Sequence, residues 1–309
     1  MNKIDSFKKY VRKLELGELI EKVSFKTLTS LKVGGICELL YKPTNLVLLG
    51  IALKYLKDNQ VPFFVIGRGT NLLVNDRYFN MVLISLENFT NYYVINENES
   101  EIYIYVEAGV SASILAKYLI SLNLTGGEFL SVIPGSVGGL TYMNAGAYKK
   151  SISELIYSIT FFDDKGLLQT VLNKDNNFNF SYRFSAFCKT NRIITSVVLH
   201  MVKQNPEEKP QDKVKRYLAI KKQSQPLNTY NAGSTFKNHD NFLAWQIVDK
   251  LGYRGYKLGG AMVSIKHANF IINYNNATFI DIMTIIKIIE YDALTKLNIQ
   301  LECEWEIIQ

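Results

Sequence analysis

The sequence predicts a mixed helix-and-strand fold in two or three domains, and three observations carry the prediction. Apolar and polar residues alternate over 101–106, the period of a half-buried strand. Ile282, Ile285, Ile286, Ile289 and Ala293 recur at helical spacing, so 281–297 reads as an amphipathic helix. The chain has 309 residues, 48% hydrophobic and 20% charged, enough to bury a sizeable core, and its 19 Tyr and 17 Phe favour strands.

Taken in order, 37–43 reads as a strand, 45–58 as a helix capped by Thr44 or Asn45, and 62–67 as the returning strand of a βαβ unit. A strand at 81–86 precedes the alternating run. A helix capped by Ser111 then reaches Leu122, with Ile114, Leu115, Tyr118 and Leu119 on one face. Residues 156–162 and 167–172 flank Asp163 to Gly166 as a hairpin, and 193–201 is a further strand. The polar stretch 203–211 carries two prolines and reads as a linker. Beyond it lie a basic helix at 212–223, a short strand at 233–236, a helix at 242–251 and a strand at 269–273. Thr278 and Asp281 form a capping box for the helix 281–297, and 299–308 closes as a strand. The Asn-rich patches 173–179 and 273–276 are loops.

Composition excludes several classes. The net charge of +7 suits anionic ligands, but the lysines are spread rather than clustered, which argues against nucleic acid. Cys37, Cys188 and Cys303 are far apart and odd in number, so neither a disulfide framework nor a zinc site is indicated. His200, His239 and His267 lack partners at ligand spacing, so no metal is expected. Residues 1–19 carry charges throughout, unlike a signal peptide, and no apolar run is long enough to span a bilayer. A soluble protein of the reducing cytoplasm is expected.

Two glycine segments are the strongest functional signal. IPGSVGGLTYMNAGAY (133–148) holds four glycines and few charges, a composition that lets consecutive amides curl around an anion. A tight packing corner is the alternative. The strand ending at Ile66 runs into GRGTNLLV (67–74), a donor-rich loop suited to phosphate. It is neither a dinucleotide fingerprint nor a P-loop, since the third glycine and the Gly-Lys-Ser/Thr sequence are missing. Two such loops suggest one long phosphate-containing ligand.

Three polar constellations stand beside them. Arg183 lies between aromatics in YRFS, Ser234 follows a glycine and precedes Lys237 and Asn238, and Glu302, Glu304 and Glu306 crowd the terminal strand. The plain alternatives are a cation on a sheet surface, a capped turn and a charged edge strand. By strand alternation the three glutamates share a face, so repulsion raises at least one pKa unless cations intervene.

Together, TSLKVGG (29–35), GRGTNLLV (67–74), GEFLSVIPGSVGG (127–139), MNAGAY (143–148), YRFS (182–185), AGSTFKN (232–238), GGAMVS (259–264), KHAN (266–269) and LECE (301–304) occur in an order covering nearly the whole chain. This set closely resembles the UDP-N-acetylenolpyruvoylglucosamine reductase (MurB) family, in its compact type that lacks a tyrosine-bearing loop between Arg183 and Ser234.

The resemblance implies an α+β fold. It has an FAD-binding module of the vanillyl-alcohol oxidase (PCMH) type in two subdomains, 1–90 and 91–203, followed by a C-terminal α+β substrate domain, 204–309, for the UDP-sugar. It implies FAD held by Gly67, Arg68, Gly69, Thr70, Asn71 and Leu72 and by Ile133, Pro134, Gly135, Ser136, Gly138 and Gly139. Neither loop offers His or Cys, so the flavin is expected to be noncovalent. NADPH is the implied hydride donor, and UDP-N-acetylglucosamine enolpyruvate the substrate reduced to UDP-N-acetylmuramate for peptidoglycan. Arg183 and Glu304 match residues that stabilise the enol-like intermediate, and Ser234 matches the general acid. Lys237, Asn238 and Lys221 are candidates for phosphate contact.

Where the family commonly shows an aliphatic residue and then arginine after the glutamate, this chain has Trp305 and Glu306. Cys303 is read as structural. A monomer is expected. The alternatives are a related FAD oxidase or dehydrogenase, or a flavin- or UDP-sugar-binding protein with impaired catalysis, which Glu306 favours.

Overall fold

The computed structural model describes residues 3–174, 176–203, 208–239 and 241–309. They form two compact units. The first comprises Met1–Glu21, Glu38–Gly67 and Asn80–Ala219; the second comprises Lys22–Cys37, Arg68–Phe79 and Ile220–Gln309.

The first unit has two apolar cores. One lies against a four-stranded sheet ordered Gly17–Ser24, Ile36–Pro43, Phe79–Ser85, Phe63–Ile66, packed by helices Lys3–Lys13 and Leu46–Asp58. The expected βαβ unit is present, and Asn45 is its N-cap, its Oδ1 accepting from Leu48 N at 3.0 Å. A strand is inserted between its two strands: Phe79–Ser85 pairs in parallel with Phe63–Ile66, Phe63 opposite Val82. Burial explains the order. Val82, Leu83 and Ile84 are fully buried and suit a central strand, whereas Phe63, Phe64 and Val65 are half-exposed and suit an edge.

The second core lies under a five-stranded sheet ordered Leu168–Leu172, Ile156–Phe162, Ile193–Val202, Glu101–Glu107, Tyr92–Glu97. The hairpin is antiparallel with Phe162 opposite Leu168, and the run at 101–107 alternates as its sequence requires, with Ile102, Ile104 and Val106 buried. Helix Ala112–Ser121 buries Ala112, Leu115, Ala116 and Leu119. Ile114, expected on that face, is 43% exposed, because Ala112 and Ala116 let the helix approach closely along a neighbouring stripe.

In the second unit, short strands Tyr230–Asn231, Ile271–Asn273, Ala261–Val263 and Lys257–Leu258 form one sheet in that order. Helix Phe279–Leu297 buries Ile282, Ile285, Ile286, Ile289 and Ala293, and its Thr278–Asp281 capping box is formed. Asp281 Oδ2 also accepts from Gly260 N at 3.0 Å, and these backbone donors, Thr278 first, hold its carboxyl below the usual range. The chain excursions 22–37 and 68–79 join this unit: Leu31, Val33 and Leu73 sit in its core, and Leu72–Val74 pairs in parallel with Glu306–Ile308. The expected strand 299–308 is therefore confined to Glu306–Ile308, and 233–236 reduces to one bridge, Phe236 with Cys303. Of the expected linker, 204–207 lie outside the described residues, and Pro210 already opens helix Pro210–Ser224. Among the described residues no helix is long and apolar enough to cross a membrane.

An ion cluster fixes the first helix. Lys8, 8% exposed, lies 2.8 Å from Asp5, 3.1 Å from Glu21 and 3.2 Å from Glu38. Replacing Lys8 by Met deprives the buried Glu38 of this ammonium and is expected to cost about 2 kcal/mol in urea unfolding at neutral pH. Lys8 holds the Asp5 and Glu21 carboxyls below their usual range, Arg12 helping at Glu21. Their contribution is complete above the unfolded carboxylate pKa and fades as pH falls through the lowered folded values. The gap between wild type and Lys8→Met should accordingly close in acid; a gap constant down to strongly acidic pH would contradict the cluster's role.

Candidate functional site

In the first unit, strand Phe63–Ile66 ends at Gly67, where an added Cβ would stand 2.9 Å from the Ser136 hydroxyl. The two glycine segments therefore meet. Gly135 has φ +149°, and Ser111 and Ser136 bridge, with Ala112 N donating to Gly135 O at 3.1 Å. Val137 N and Gly138 N donate to Val110 O and Ala108 O at 2.9 and 2.8 Å. A Cβ on Gly138 would fall 2.9 Å from that of Ala108, so this glycine serves packing. Among the described residues, the amides of Gly135 and Ser136 find no acceptor. Amides left without an acceptor in a glycine-rich turn are suited to a phosphate.

The same segment continues into the support for Arg183. Ser181 and Phe184 close a turn, with Arg183 at φ +56°, a left-handed conformation that a non-glycine residue adopts only when its surroundings enforce it. Asn144 Nδ2 donates to Ser181 O at 2.8 Å, and the Ser185 hydroxyl donates to Tyr142 O. Arg183 itself donates from Nη2 to Gly146 O at 2.9 Å and lies 4.8 Å over the Tyr182 ring.

The remaining candidates lie in the second unit. Gly69 has φ +61°, and a Cβ there would fall 2.2 Å from Leu28 O, so only glycine lets the loop lie against 28–30. Arg68 is exposed, while Thr70, Asn71 and Leu72 are half-buried. Asn71 Nδ2 donates to Glu304 O at 3.2 Å, and Glu306 N donates to Asn71 O at 3.0 Å. Half-buried Ser234 follows Gly233, whose φ of +81° is set by its amide donating to Asn231 Oδ1 at 3.0 Å. Next to it Thr235 O accepts from Glu304 N at 2.8 Å. Asn269 holds both sides of Phe236, accepting from its amide at 2.9 Å and donating to its carbonyl at 2.8 Å.

The structure thus brings Ser234 and Glu304 onto hydrogen-bonded neighbouring segments, and Arg183 belongs to the other unit. Lys237 and Asn238, expected as phosphate donors, are engaged locally. The Lys237 ammonium pairs with Glu302 at 2.5 Å, and Asn238 Oδ1 accepts from Ala244 N at 3.0 Å at the start of a helix. The glutamates do not form one strand face, and Lys237 relieves repulsion at Glu302. Lys221 is half-buried, and desolvation lowers its ammonium pKa. Burial raises the Cys303 thiol to about 11, which suits a structural role. Asn144, Asn231 and Asn269 were not read as site residues; their signal was an asparagine inside or next to a glycine-bearing motif. A shallow apolar depression of about 360 Å³ on helix Phe279–Leu297, lined by Met283, Lys287 and Tyr291 among others, holds none of the candidates. Among the described residues no three His, Cys, Asp or Glu side chains group as a metal site.

Comparison with known proteins gives these loops their context. Residues 225–308 match the family model of the UDP-N-acetylenolpyruvoylglucosamine reductase C-terminal domain, and 38–171 match an FAD binding domain. The chain is 35% identical over 295 residues to the UDP-N-acetylenolpyruvoylglucosamine reductase of Caldanaerobacter subterraneus subsp. tengcongensis, covering 96% of this chain and 95% of that one. It is 37% identical over 299 residues to that of Orientia tsutsugamushi (strain Boryong), covering 94% and 95%. The chain belongs to the UDP-N-acetylenolpyruvoylglucosamine reductase family.

A solved structure of the MurB enzyme from Thermus caldophilus superposes with a TM-score of 0.79 at 28% identity, covering 95% of this chain and 100% of that one. This MurB-family chain is therefore an α+β flavoprotein oxidoreductase that uses FAD, with an FAD-binding domain over 38–171. The glycine geometry fits that cofactor. Gly69→Ala should be severe, costing about 2–4 kcal/mol through a left-handed φ and a backbone clash, with flavin lost on purification. Gly67→Ala meets only a rotatable hydroxyl and should keep flavin affinity within about tenfold. Thermal unfolding and flavin fluorescence titration measure both, and equal effects would contradict this assignment.

Proposed function

We propose that this chain reduces UDP-N-acetylglucosamine enolpyruvate to UDP-N-acetylmuramate with NADPH, as the names of its relatives indicate, in the synthesis of peptidoglycan precursors in the cytoplasm. The observation that supports it most directly is the pairing of a serine hydroxyl and a glutamate on one hydrogen-bonded frame, in a chain with an FAD-binding module. The backbone amides of 67–72 and 133–139 would hold FAD, and residues 204–309 form the UDP-sugar domain.

FAD, when bound, would supply a hydride carrier between NADPH and the methylene carbon of the enolpyruvyl group. Hydride addition there leaves negative charge on the adjacent carbon, spread into its carboxylate. The Arg183 fork, oriented by Gly146 O and Tyr182, matches the planar carboxylate bidentately. Glu304 in its acid form donates a hydrogen bond to the same charge. Ser234 delivers one proton to the carbon, a step open to an alcohol because the acceptor is a strongly basic carbanion. Lys221 meets the anionic diphosphate. Its lowered pKa predicts that substrate affinity falls as pH rises, and that it does so below the ordinary lysine range.

Stopped-flow separation of the half-reactions tests the assignment. Ser234→Ala should leave flavin reduction by NADPH within about threefold and slow reoxidation by the enolpyruvyl sugar by about three orders of magnitude. Glu304→Gln and Arg183→Ala should follow the same split. Equal losses in both half-reactions, or rapid turnover with oxygen in place of the sugar, would overturn it.

A further inference from the structure

The loop after Gly67 is tied to the main chain of both segments that carry Glu304 and Ser234. One tether runs through Asn71, whose Nδ2 donates to Glu304 O at 3.2 Å and whose carbonyl accepts from Glu306 N at 3.0 Å. Leu72 then pairs with Glu306, and Asn75 N donates to Ile308 O at 2.8 Å, extending the register. The other tether runs through Ser30. Its amide donates to Gly69 O at 3.0 Å, and its hydroxyl donates to Asn231 O at 2.6 Å. Asn231 in turn accepts from Gly233 N and so sets the turn that presents Ser234.

Neither Asn71 nor Ser30 has a group that the reduction needs. Both side chains are spent on main-chain atoms of the segments that carry Glu304 and Ser234. We infer that Asn71 and Ser30 are positioning residues through which the flavin-binding loop sets Glu304 and Ser234, so that cofactor and proton delivery share one backbone register. This rests on the proposed roles of Glu304 and Ser234, and it reassigns the Asn71 side chain from flavin contact to alignment of the acid.

The consequence is a defect confined to one half-reaction. Misplacing a reacting group by about 1 Å costs on the order of a hundredfold in rate without loss of binding. In the FAD-loaded enzyme, Asn71→Asp keeps the shape but loses the donor, and Asn71→Ala removes the side chain. Both should slow flavin reoxidation by the enolpyruvyl sugar about 10- to 100-fold. The KM for the sugar, the FAD dissociation constant and the rate of reduction by NADPH should stay within about threefold. Amide hydrogen exchange of the peptide 301–309 should accelerate in both variants. Ser30→Ala should instead accelerate exchange over 226–236 and slow the same half-reaction.

A parallel fall in FAD affinity and flavin reduction would return Asn71 to the cofactor's contacts and overturn the inference. So would unchanged exchange at 301–309. If Glu304→Gln leaves reoxidation intact, the reading of Glu304 fails instead, while the exchange measurement still decides whether Asn71 holds its segment.

Discussion

The second unit depends on main-chain pairing between residues far apart in sequence. Leu72–Val74 lies parallel to Glu306–Ile308, and 235–237 is laced to 302–304 by amide–carbonyl bonds. Parallel strands need long connections, and here almost the whole chain is the connection. Ordering it is entropically expensive, so the apolar burial of Leu73, Phe236, Leu301 and Trp305 must carry that cost. In return, Glu304 is fixed by partners on both sides. Its amide reaches Thr235, and its carbonyl reaches Asn71.

This long-range pairing also marks the limit of what the sequence reveals. Elements with strong local signals were legible. Asn45 announced its helix, the Thr278–Asp281 box announced another, and Asp163 to Gly166 announced a hairpin. What failed was non-local. Nothing near 79–85 says that this strand inserts between 36–43 and 63–66, because order is decided by which strand loses water on both faces. Nor does LECEWEIIQ say that only its last residues pair as a strand, since its partner is Leu72–Val74.

The candidate site divides the same way. Glycine segments and the residues Arg183, Ser234 and Glu304 could be picked out from composition and from family resemblance. The asparagines that hold them could not, because an asparagine in a loop is equally a turn former, a cap or a tether. Asn144, Asn231 and Asn269 each bond main-chain groups beside a candidate residue. Glycines also divide by role. Gly138 is required by Ala108 and Gly69 by Leu28, both packing demands, while Gly67 faces only a hydroxyl. Within 133–148 the packing-corner reading therefore holds at Gly138.

Glu306 serves the scaffold through its backbone. Its structural service is its amide, which donates to Asn71 O, and its place opposite Leu72 in a parallel ladder. Those bonds belong to the backbone and survive any residue that tolerates an extended conformation. The charge of the side chain at 306 therefore acts on the electrostatics around the terminal strand and not on the register that holds Glu304. Trp305 differs: its side chain is 4% exposed and belongs to the core, so that position is constrained by volume. Adjacent residues answer to different physics, one to burial and one to charge.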